Sequence, residues 1–259
     1  MAENKWASAV TSVVPNEIRV RGYRLDELMG RVSFGEAVYL ILRGELPGTA
    51  VGRLMEAMLV ASIDHGVTPP STLSVRNAAT TGAPLNACLA AGALAVNRHH
   101  GGAVEDCMRL LARGAARIGA GESAGAAAQA LMTEEKAAGR RLPGFGHRLH
   151  TDDPRSHRLL ALAKEAGAAG RHVALAEAIV AALASSGKPL PLNVDGAIAA
   201  VLADLGFAPE LANGFFILAR TAGWMAHVAE ELAREKPMRR IDQQACAYDG
   251  PGPRELPAH

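Results

Sequence analysis

The sequence predicts an all-α protein. Hydrophobic residues make up 49% of its 259 residues but aromatic residues only 4%, so the apolar content consists mostly of Ala, Leu and Val. Ala and Leu are strong helix formers. Apolar residues recur at helical spacing along most of the chain, whereas Ile18–Tyr23 alternates in the manner of a short strand or hairpin arm. The length is sufficient for one large domain or two small ones.

The predicted helices follow from this periodicity and from residues that begin or end helices. Ser33 precedes a helical pattern that Gly44 stops, and Asp153-Pro154 is typical of an N-cap followed by a first helical residue. The pattern predicts eight or nine helices, the clearest at about 34–43, 53–64, 84–96, 104–118, 154–167, 172–185, 195–205 and 209–235. The segment 84–96 is apolar on every side, which indicates a buried central helix. Candidate hinges lie near 119–127 and 205–206, and the tail from Pro237 is predicted to be irregular.

Composition argues against several classes of protein. Charged residues reach 20%, which is too many for a membrane protein, and a net charge of +1 provides no electrostatic case for a nucleic acid or a lipid surface as partner. Three widely separated cysteines do not suggest a disulfide framework or a zinc site: Cys88, Cys107 and Cys246. No signal peptide is visible in Met1–Val10. We therefore expect a cytoplasmic protein.

Candidate chemistry lies in short clusters that place titratable residues beside glycines within apolar sequence. The five clusters are Asp64-His65-Gly66, His99-His100-Gly101-Gly102, Gly144-Phe-Gly-His147-Arg148, Asn193-Val-Asp195-Gly196 and the helical stretch from Arg220 to His227. In that helical stretch Arg220, Trp224 and His227 share one face. Glycines beside a histidine allow a ligand to approach the backbone closely.

Each cluster also has an ordinary structural interpretation. A histidine at a helix end can cap carbonyl groups, and Asp195 before an apolar run can be an N-cap. No carboxylate or cysteine completes a standard ligand set around the paired histidines, so no metal is predicted. Taken together, however, two histidines and an aspartate are the minimum for moving protons to both a carbon and an oxygen. Nearby arginines suit a substrate with several carboxylates.

In their order along the chain these motifs resemble the citrate synthase superfamily. The resemblance begins at Ile18–Pro47, continues through Asp64-His65 with Ser71 to Arg76, and covers about residues 15–250. The remaining motifs in family order are His100-Gly-Gly-Ala103, Gly144-Phe-Gly-His-Arg148 with Asp153-Pro-Arg155, Asn193-Val-Asp195 and Ala219-Arg-Thr-Ala-Gly-Trp224. The short length and Gly196 after Asp195, where the family usually has an aromatic stretch, look more like citryl-CoA lyase, including the lyase module of ATP-citrate lyase.

The resemblance implies a reaction and assigns roles. Citryl-CoA is cleaved reversibly to acetyl-CoA and oxaloacetate: His147 takes the hydroxyl proton, His100 stabilises the enolate oxygen and Asp195 protonates the enolate carbon. The implied ligands of the oxaloacetate carboxylates are His65, Arg155, Arg220 and one of Arg239 and Arg240. Candidates for the coenzyme A phosphates are Arg148, Lys188 and the basic run Lys136, Arg140 and Arg141, which a solvated charged face would explain equally well.

The resemblance also implies an architecture. A large helical domain of residues 1–102 and 204–259 surrounds a smaller inserted helical domain of residues 103–203, and domain closure excludes water from the site. One C-terminal arginine reaches in from a partner subunit, which implies at least a homodimer. Coenzyme A arrives as part of the substrate, and no permanently bound cofactor is expected. Two alternatives remain: a citrate or 2-methylcitrate synthase, and an inactive paralogue that only binds CoA esters.

Overall fold

The structure is a computed structural model that describes residues 6–147, 151–187, 189–240 and 242–257. Within these residues it contains a small sheet and eleven α-helices. The strands are β1 (Thr11–Val14), β2 (Glu17–Val20) and β3 (Tyr23–Arg24). The helices are α1 (Leu25–Leu28), α2 (Phe34–Arg43), α3 (Thr49–Ala61), α4 (Pro70–Thr80), α5 (Leu85–Leu94), α6 (Ala103–Gly119), α7 (Ala124–Ala137), α8 (Pro154–Glu165), α9 (Arg171–Ser185), α10 (Val194–Asp204) and α11 (Ala212–Arg234). The predicted all-α class is confirmed.

The N-terminal sheet is an antiparallel meander in the order β1-β2-β3. Strand β1 pairs with β2 in a register that sets Thr11 opposite Val20, and the turn between them contains Asn16 at a positive φ of 63°. Asn tolerates this left-handed conformation better than most residues. The strand predicted at Ile18–Tyr23 is therefore present, although it is divided between β2 and β3.

Several helix ends are fixed by the residues that predicted them. Ser33 caps α2 through a capping box with Glu36, and Gly44 ends the helix in the left-handed conformation. Asp153 caps α8, and its side chain accepts a hydrogen bond from the backbone N–H of Arg155. The tail after Pro237 contains one 3-10 turn, Gln243–Ala245, among its described residues.

Besides the four-residue α1, two longer helices were not predicted. Helix α4 buries Ser71 and Thr72 beside Val75, so hydropathy does not reveal its inner face. Helix α7 begins with Ala-Gly-Ala-Ala-Ala, and residues this small produce little contrast between two faces. The candidate hinge near 119–127 is therefore helical from Ala124 onward, where α7 begins.

The buried side chains form two cores. The larger one unites α2 and α3 with α6 to α10 and with the start of α11, and its pairs of packed helices include α6 with α10 and α7 with α9. The smaller one lies between α4, α5 and α11 around Trp224, Val75 and Cys88. Helix α10 lies in the larger core, whereas α11 extends from the larger core at its start into the smaller one. The predicted domain limits at 102/103 and 203/204 remain a prediction.

Helix α5 is not the buried central helix that its composition indicates. In this chain it buries only Cys88 and Gly92 among its ten residues, and Leu94 is 79% exposed. The helix therefore presents an uncharged, apolar face at the surface of the chain. Among the described residues, no helix is both long and apolar enough to cross a membrane.

Candidate active site

His100 lies in a tight turn that follows α5. The backbone N–H of His100 donates to the carbonyl of Asn97 (2.9 Å), and Gly101 continues the turn at φ +83°. A Cβ atom at Gly101 would lie 2.6 Å from Val96 Cγ1, so the turn requires glycine there for both its conformation and its packing. The imidazole is half-buried and packs edge-on against the Phe216 ring, with the ring centroids 5.5 Å apart.

A buried serine holds the His100 ring from the other side. Ser71 Oγ lies 2.7 Å from His100 Nε2, and the same oxygen accepts a hydrogen bond from Trp224 Nε1 at 3.2 Å. Burial lowers the pKa of His100, and the positive charge of Arg220 lowers it further. The ring is therefore neutral at pH 7, and its one N–H is available as a hydrogen-bond donor.

His65 and His147 meet although they are far apart in sequence. Their ring centroids are 6.1 Å apart and the planes are nearly perpendicular. His65 follows α3, whereas His147 lies in the segment 138–147 after α7, here called the His147 loop, which approaches the start of α10. The loop is fixed there by hydrogen bonds from Gly146 N to Pro191 O (2.7 Å) and from Asn193 Nδ2 to Gly146 O (2.8 Å).

Asp195 lies in the first turn of α10 but does not cap it. The N-cap is Asn193, whose Oδ1 accepts from Gly196 N at 3.0 Å, so the interpretation of Asp195 as an N-cap is wrong. Among the described residues the Asp195 carboxylate has no hydrogen-bond partner. Burial raises the pKa of Asp195; the charges of Arg155 and Arg220 oppose this rise without cancelling it. The carboxyl group can therefore carry a proton more readily than an exposed aspartate.

Arg155 is held near the start of α10 by the buried carboxylate of Asp153. Asp153 is fully buried and accepts two hydrogen bonds from the Arg155 guanidinium, at 3.0 and 2.9 Å. It also accepts one from Val194 N at 3.1 Å. Burial alone would raise the pKa of Asp153, but the hydrogen bonds and charge of Arg155 outweigh it and lower the pKa. Arg155 is consequently oriented relative to Asp195.

Arg220 is a buried cation on α11. Its side chain is 5% exposed, its guanidinium carbon lies 4.6 Å from the Phe216 ring centroid, and its Nε donates to Ser62 O at 2.8 Å. Burial lowers the pKa of Arg220. The negative charges of Asp64 and Asp195 oppose this change but do not cancel it. Among the described residues its two terminal nitrogens have no hydrogen-bond partner. They are free to bind a carboxylate in two-pronged fashion.

The other predicted ligands do not all converge. Arg239 turns back to its own chain, where it pairs with the buried Glu231. Arg240 is exposed. Arg148 and Lys188 lie outside the described residues. The sequence indicated Asp153 as an N-cap and Ser71 as the start of a family motif, but not that Asp153 holds Arg155 or that Ser71 holds His100.

Two clefts adjoin the His147 loop. The larger, of about 880 Å³, has His147 in its wall together with three basic residues of the predicted run, Lys136, Arg140 and Arg141, and the apolar side chains of Met132, Phe145 and Leu190. The smaller, of about 710 Å³, shares Arg140 and Arg141 and adds the basic side chains of Arg98, His99, Arg109 and Arg113. Part of the cationic lining is already neutralised, because Glu135 pairs with Arg113 and Arg140. Hydrogen bonds from Arg140, together with Arg113, lower the pKa of Glu135 to about 2.

A helical protein with this order of site residues belongs to the citrate synthase family: residues 47–241 match the family described as citrate synthase, C-terminal domain. The chain is similar to the solved citryl-CoA lyase from Hydrogenobacter thermophilus, with 43% identity, a TM-score of 0.88 and coverage of 97% of both chains. It also has the fold of part of the ATP citrate lyase from Methanosaeta concilii (20% identity, TM-score 0.82, covering 97% of this chain and 43% of that one).

Named relatives in the family are longer. Citrate synthase 2 from Bacillus subtilis is 29% identical over 234 residues, which cover 88% of this chain and 59% of that protein. ATP-citrate synthase beta chain protein 1 from Arabidopsis thaliana is 26% identical over 213 residues, or 76% of this chain and 34% of that one. The chain thus spans between about a third and three-fifths of the length of these relatives.

Proposed function

We propose that the protein is a citryl-CoA lyase, which cleaves citryl-CoA to acetyl-CoA and oxaloacetate. The observation that carries the proposal is its likeness along 97% of both chains to the citryl-CoA lyase of Hydrogenobacter thermophilus. The ATP citrate lyase of Methanosaeta concilii, which shares the fold, was solved in complex with (3S)-citryl-CoA. The residue types of His100, His147 and Asp195 suit this chemistry.

In the proposed reaction His147 acts as the base. It accepts the proton of the tertiary hydroxyl group of citryl-CoA, and that oxygen becomes the keto oxygen of oxaloacetate. The bond between the former carbinol carbon and the acetyl methylene carbon breaks, and its electron pair moves into the thioester to form an enolate. The nearby ring of His65 and the loop hydrogen bonds through Asn193 hold His147 in place.

His100 and Asp195 complete the reaction. Ser71 Oγ accepts from Trp224 and can donate its own hydrogen to His100 Nε2, which leaves the imidazole N–H on Nδ1 for the enolate oxygen. Asp195 then protonates the enolate carbon to give acetyl-CoA. The raised pKa of Asp195 favours this donation. In the reverse direction the same carboxylate removes the proton.

Oxaloacetate would be held by three residues on this chain and one from a partner. We assign its carboxylates to His65, Arg155 and Arg220. Since Arg239 is already paired with Glu231, we assign the remaining arginine role to Arg240 of a second subunit. Helix α5 supplies an apolar surface on which two copies would pack, which supports a homodimer. Coenzyme A, as part of the substrate, would lie in the cleft beside His147, with its phosphates near Lys136, Arg140 and Arg141.

The decisive experiment offers synthetic citryl-CoA to the purified protein and follows oxaloacetate, acetyl-CoA and free CoA. A lyase yields oxaloacetate and acetyl-CoA in equal amounts without releasing free CoA. Release of CoA and citrate, or rapid CoA release from acetyl-CoA plus oxaloacetate, would assign a synthase instead. The family relatives named citrate synthase favour that second candidate. Binding of CoA esters with no turnover of either substrate would identify an inactive paralogue.

A further inference from the structure

The loop that carries His65 is attached to one face of α11. Three α11 positions make the attachment: Arg220 Nε donates to Ser62 O (2.8 Å), Gly223 lies against Ile63 O, and His227 Nε2 lies 3.0 Å from Asp64 Oδ1. Positions i, i+3 and i+7 of a helix share one face. A Cβ atom at Gly223 would overlap with the Ile63 carbonyl oxygen, so only glycine allows this approach. The loop therefore follows α11 for two turns.

Asp64 links the loop on both sides of His65 to the face of α11 that carries His227. One carboxylate oxygen contacts His227 Nε2, and the other accepts the backbone N–H of Gly66 at 2.9 Å. His227 is only 12% exposed, and its second ring nitrogen lies 3.8 Å from Glu230 Oε2. The His227 ring is thus held between two carboxylates, and Asp64 in turn fixes the residues immediately before and after the His65 backbone.

We propose that Asp64 and His227 are positioning residues for His65. They hold the loop so that the His65 ring lies beside the His147 ring, in the same loop whose Ser62 carbonyl accepts a hydrogen bond from Arg220. This inference rests on the proposed function, because it takes His65 as a ligand of a substrate carboxylate. Neither residue touches the reacting atoms. Their contribution is to order the loop before the dicarboxylate binds, which lowers the entropy lost on binding.

The test compares two substitutions of His227 that differ in one hydrogen bond. The amide nitrogen of Gln occupies a place close to that of His Nε2, so His227→Gln keeps a donor for Asp64, whereas His227→Leu removes it. We expect His227→Leu to raise the KM for citryl-CoA and the Kd for oxaloacetate about tenfold with a smaller loss in kcat. His227→Gln should retain values within about twofold of the wild type. Asp64→Asn in the His227→Leu background should add little further loss.

The matched control is a second histidine–aspartate pair, which lies at the larger core. His172 Nδ1 contacts Asp204 Oδ1 at 2.8 Å, which is a histidine–aspartate pair of similar geometry at the junction of α9 and α10. His172→Leu should lower the melting temperature as much as His227→Leu does, yet leave KM unchanged. Equal effects of the two Leu variants on KM, or failure of His227→Gln to preserve KM, would overturn the positioning role.

A second readout does not depend on turnover. The imidazole NMR signal of His65, assigned by its absence in His65→Gln, should shift and broaden in His227→Leu but not in His172→Leu. An unchanged His65 signal in His227→Leu would reject the proposal. If the wild-type protein fails to cleave citryl-CoA while the His65 signal shifts as described, the lyase assignment falls and the positioning of His65 by His227 stands.

Discussion

Asp195 has an environment suited to proton transfer rather than to stability. Burial raises its pKa, and among the described residues nothing donates a hydrogen bond to its carboxylate. A group with a raised carboxyl pKa in the folded state destabilises the fold above that pKa, because ionisation is easier in the unfolded chain. Enzymes commonly retain such destabilised groups where activity requires them.

We therefore predict opposite effects of Asp195→Asn on activity and stability. The variant should lose about 10³-fold in kcat for citryl-CoA cleavage, because no group remains to protonate the enolate carbon. Its melting temperature at pH 7 should equal or exceed that of the wild type, since a buried charge has been removed. Steady-state assays and calorimetry measure the two effects. Full activity in this variant would remove Asp195 from the reaction.

Gly196 sets the distance between α10 and the His147 loop. A Cβ atom at this position would overlap with the carbonyl oxygen of Gly144 and lie 2.6 Å from Leu192 Cδ1. Gly196→Ala should therefore destabilise the protein by about 1–3 kcal/mol, because backbone must move to admit the methyl group. Displacement of the loop should also lower kcat by at least about tenfold, since His147 moves with it.

The control is a glycine in a helix with free space around it. Gly125 lies in the first turn of α7, and a Cβ atom there would meet no other atom within 4 Å. Gly125→Ala should be neutral or stabilise the protein by up to about 1 kcal/mol, and should leave kcat unchanged. Equal stability of the two variants in urea unfolding would show that the His147 loop adapts freely.

At the residue scale the sequence indicates the candidate site residues better than the residues that hold them. The structure brings His65 close to His147, and the charges of Arg155 and Arg220 both act on the pKa of Asp195; all five residues stand out in sequence as polar residues within short motifs. Ser71, by contrast, is a buried serine in a helix without an apolar pattern. Nothing local distinguishes such a residue from any other serine; only its contacts with His100 and Trp224 reveal it.

At the scale of elements, the N-terminus of α9 is capped by a side chain of another helix. The carboxylate of Asp204, at the end of α10, accepts hydrogen bonds from the backbone N–H groups of Gly170, His172 and Val173 at 2.7 to 3.0 Å. The residue preceding α9, Gly170, provides no cap of its own. Asp204 thus satisfies the free N–H groups of α9 and favours its dipole. The periodicity of α9 predicts the helix but not this remote cap.

We predict that Asp204→Asn lowers the free energy of unfolding by about 1–2 kcal/mol at pH 7. Burial would raise the pKa of Asp204, but His172 and the backbone N–H groups outweigh it and lower the pKa. The stabilisation is therefore fully present above the unfolded pKa, about 4, and is lost as pH falls through the lower folded pKa. The difference in stability between wild type and variant should shrink below about pH 4. Urea unfolding from pH 7 to pH 3 measures it, with Asp249→Asn in the exposed tail as control.

At the scale of the whole molecule, one chain leaves the predicted site incomplete. Arg239 is bound to Glu231 of its own chain, while the neighbouring Arg240 is exposed and α5 presents apolar side chains to solvent. The sequence could not distinguish these two arginines, because two adjacent arginines in an irregular tail have nearly the same sequence context. It also misplaced α5 in the interior of the chain, since apolar composition alone does not distinguish a helix buried in its own core from one with an apolar face at the surface of the chain.

Co-expression of two inactive variants tests whether Arg240 acts across a dimer. In a heterodimer of an Asp195→Asn chain with an Arg240→Ala chain, the site of the second chain keeps its own Asp195 and receives Arg240 from the first. Random pairing should therefore restore about a quarter of the wild-type activity, because half of the dimers are mixed and each has one intact site.

Asp195→Asn paired with His147→Ala is the matched control: both residues act in one chain, so no site is repaired and no activity should return. If the pair with Arg240→Ala also stays inactive while sedimentation shows dimers, Arg240 serves its own chain. Leu94→Glu on the exposed face of α5 is an independent test, since it should dissociate the dimer and abolish activity only where the site is shared between subunits.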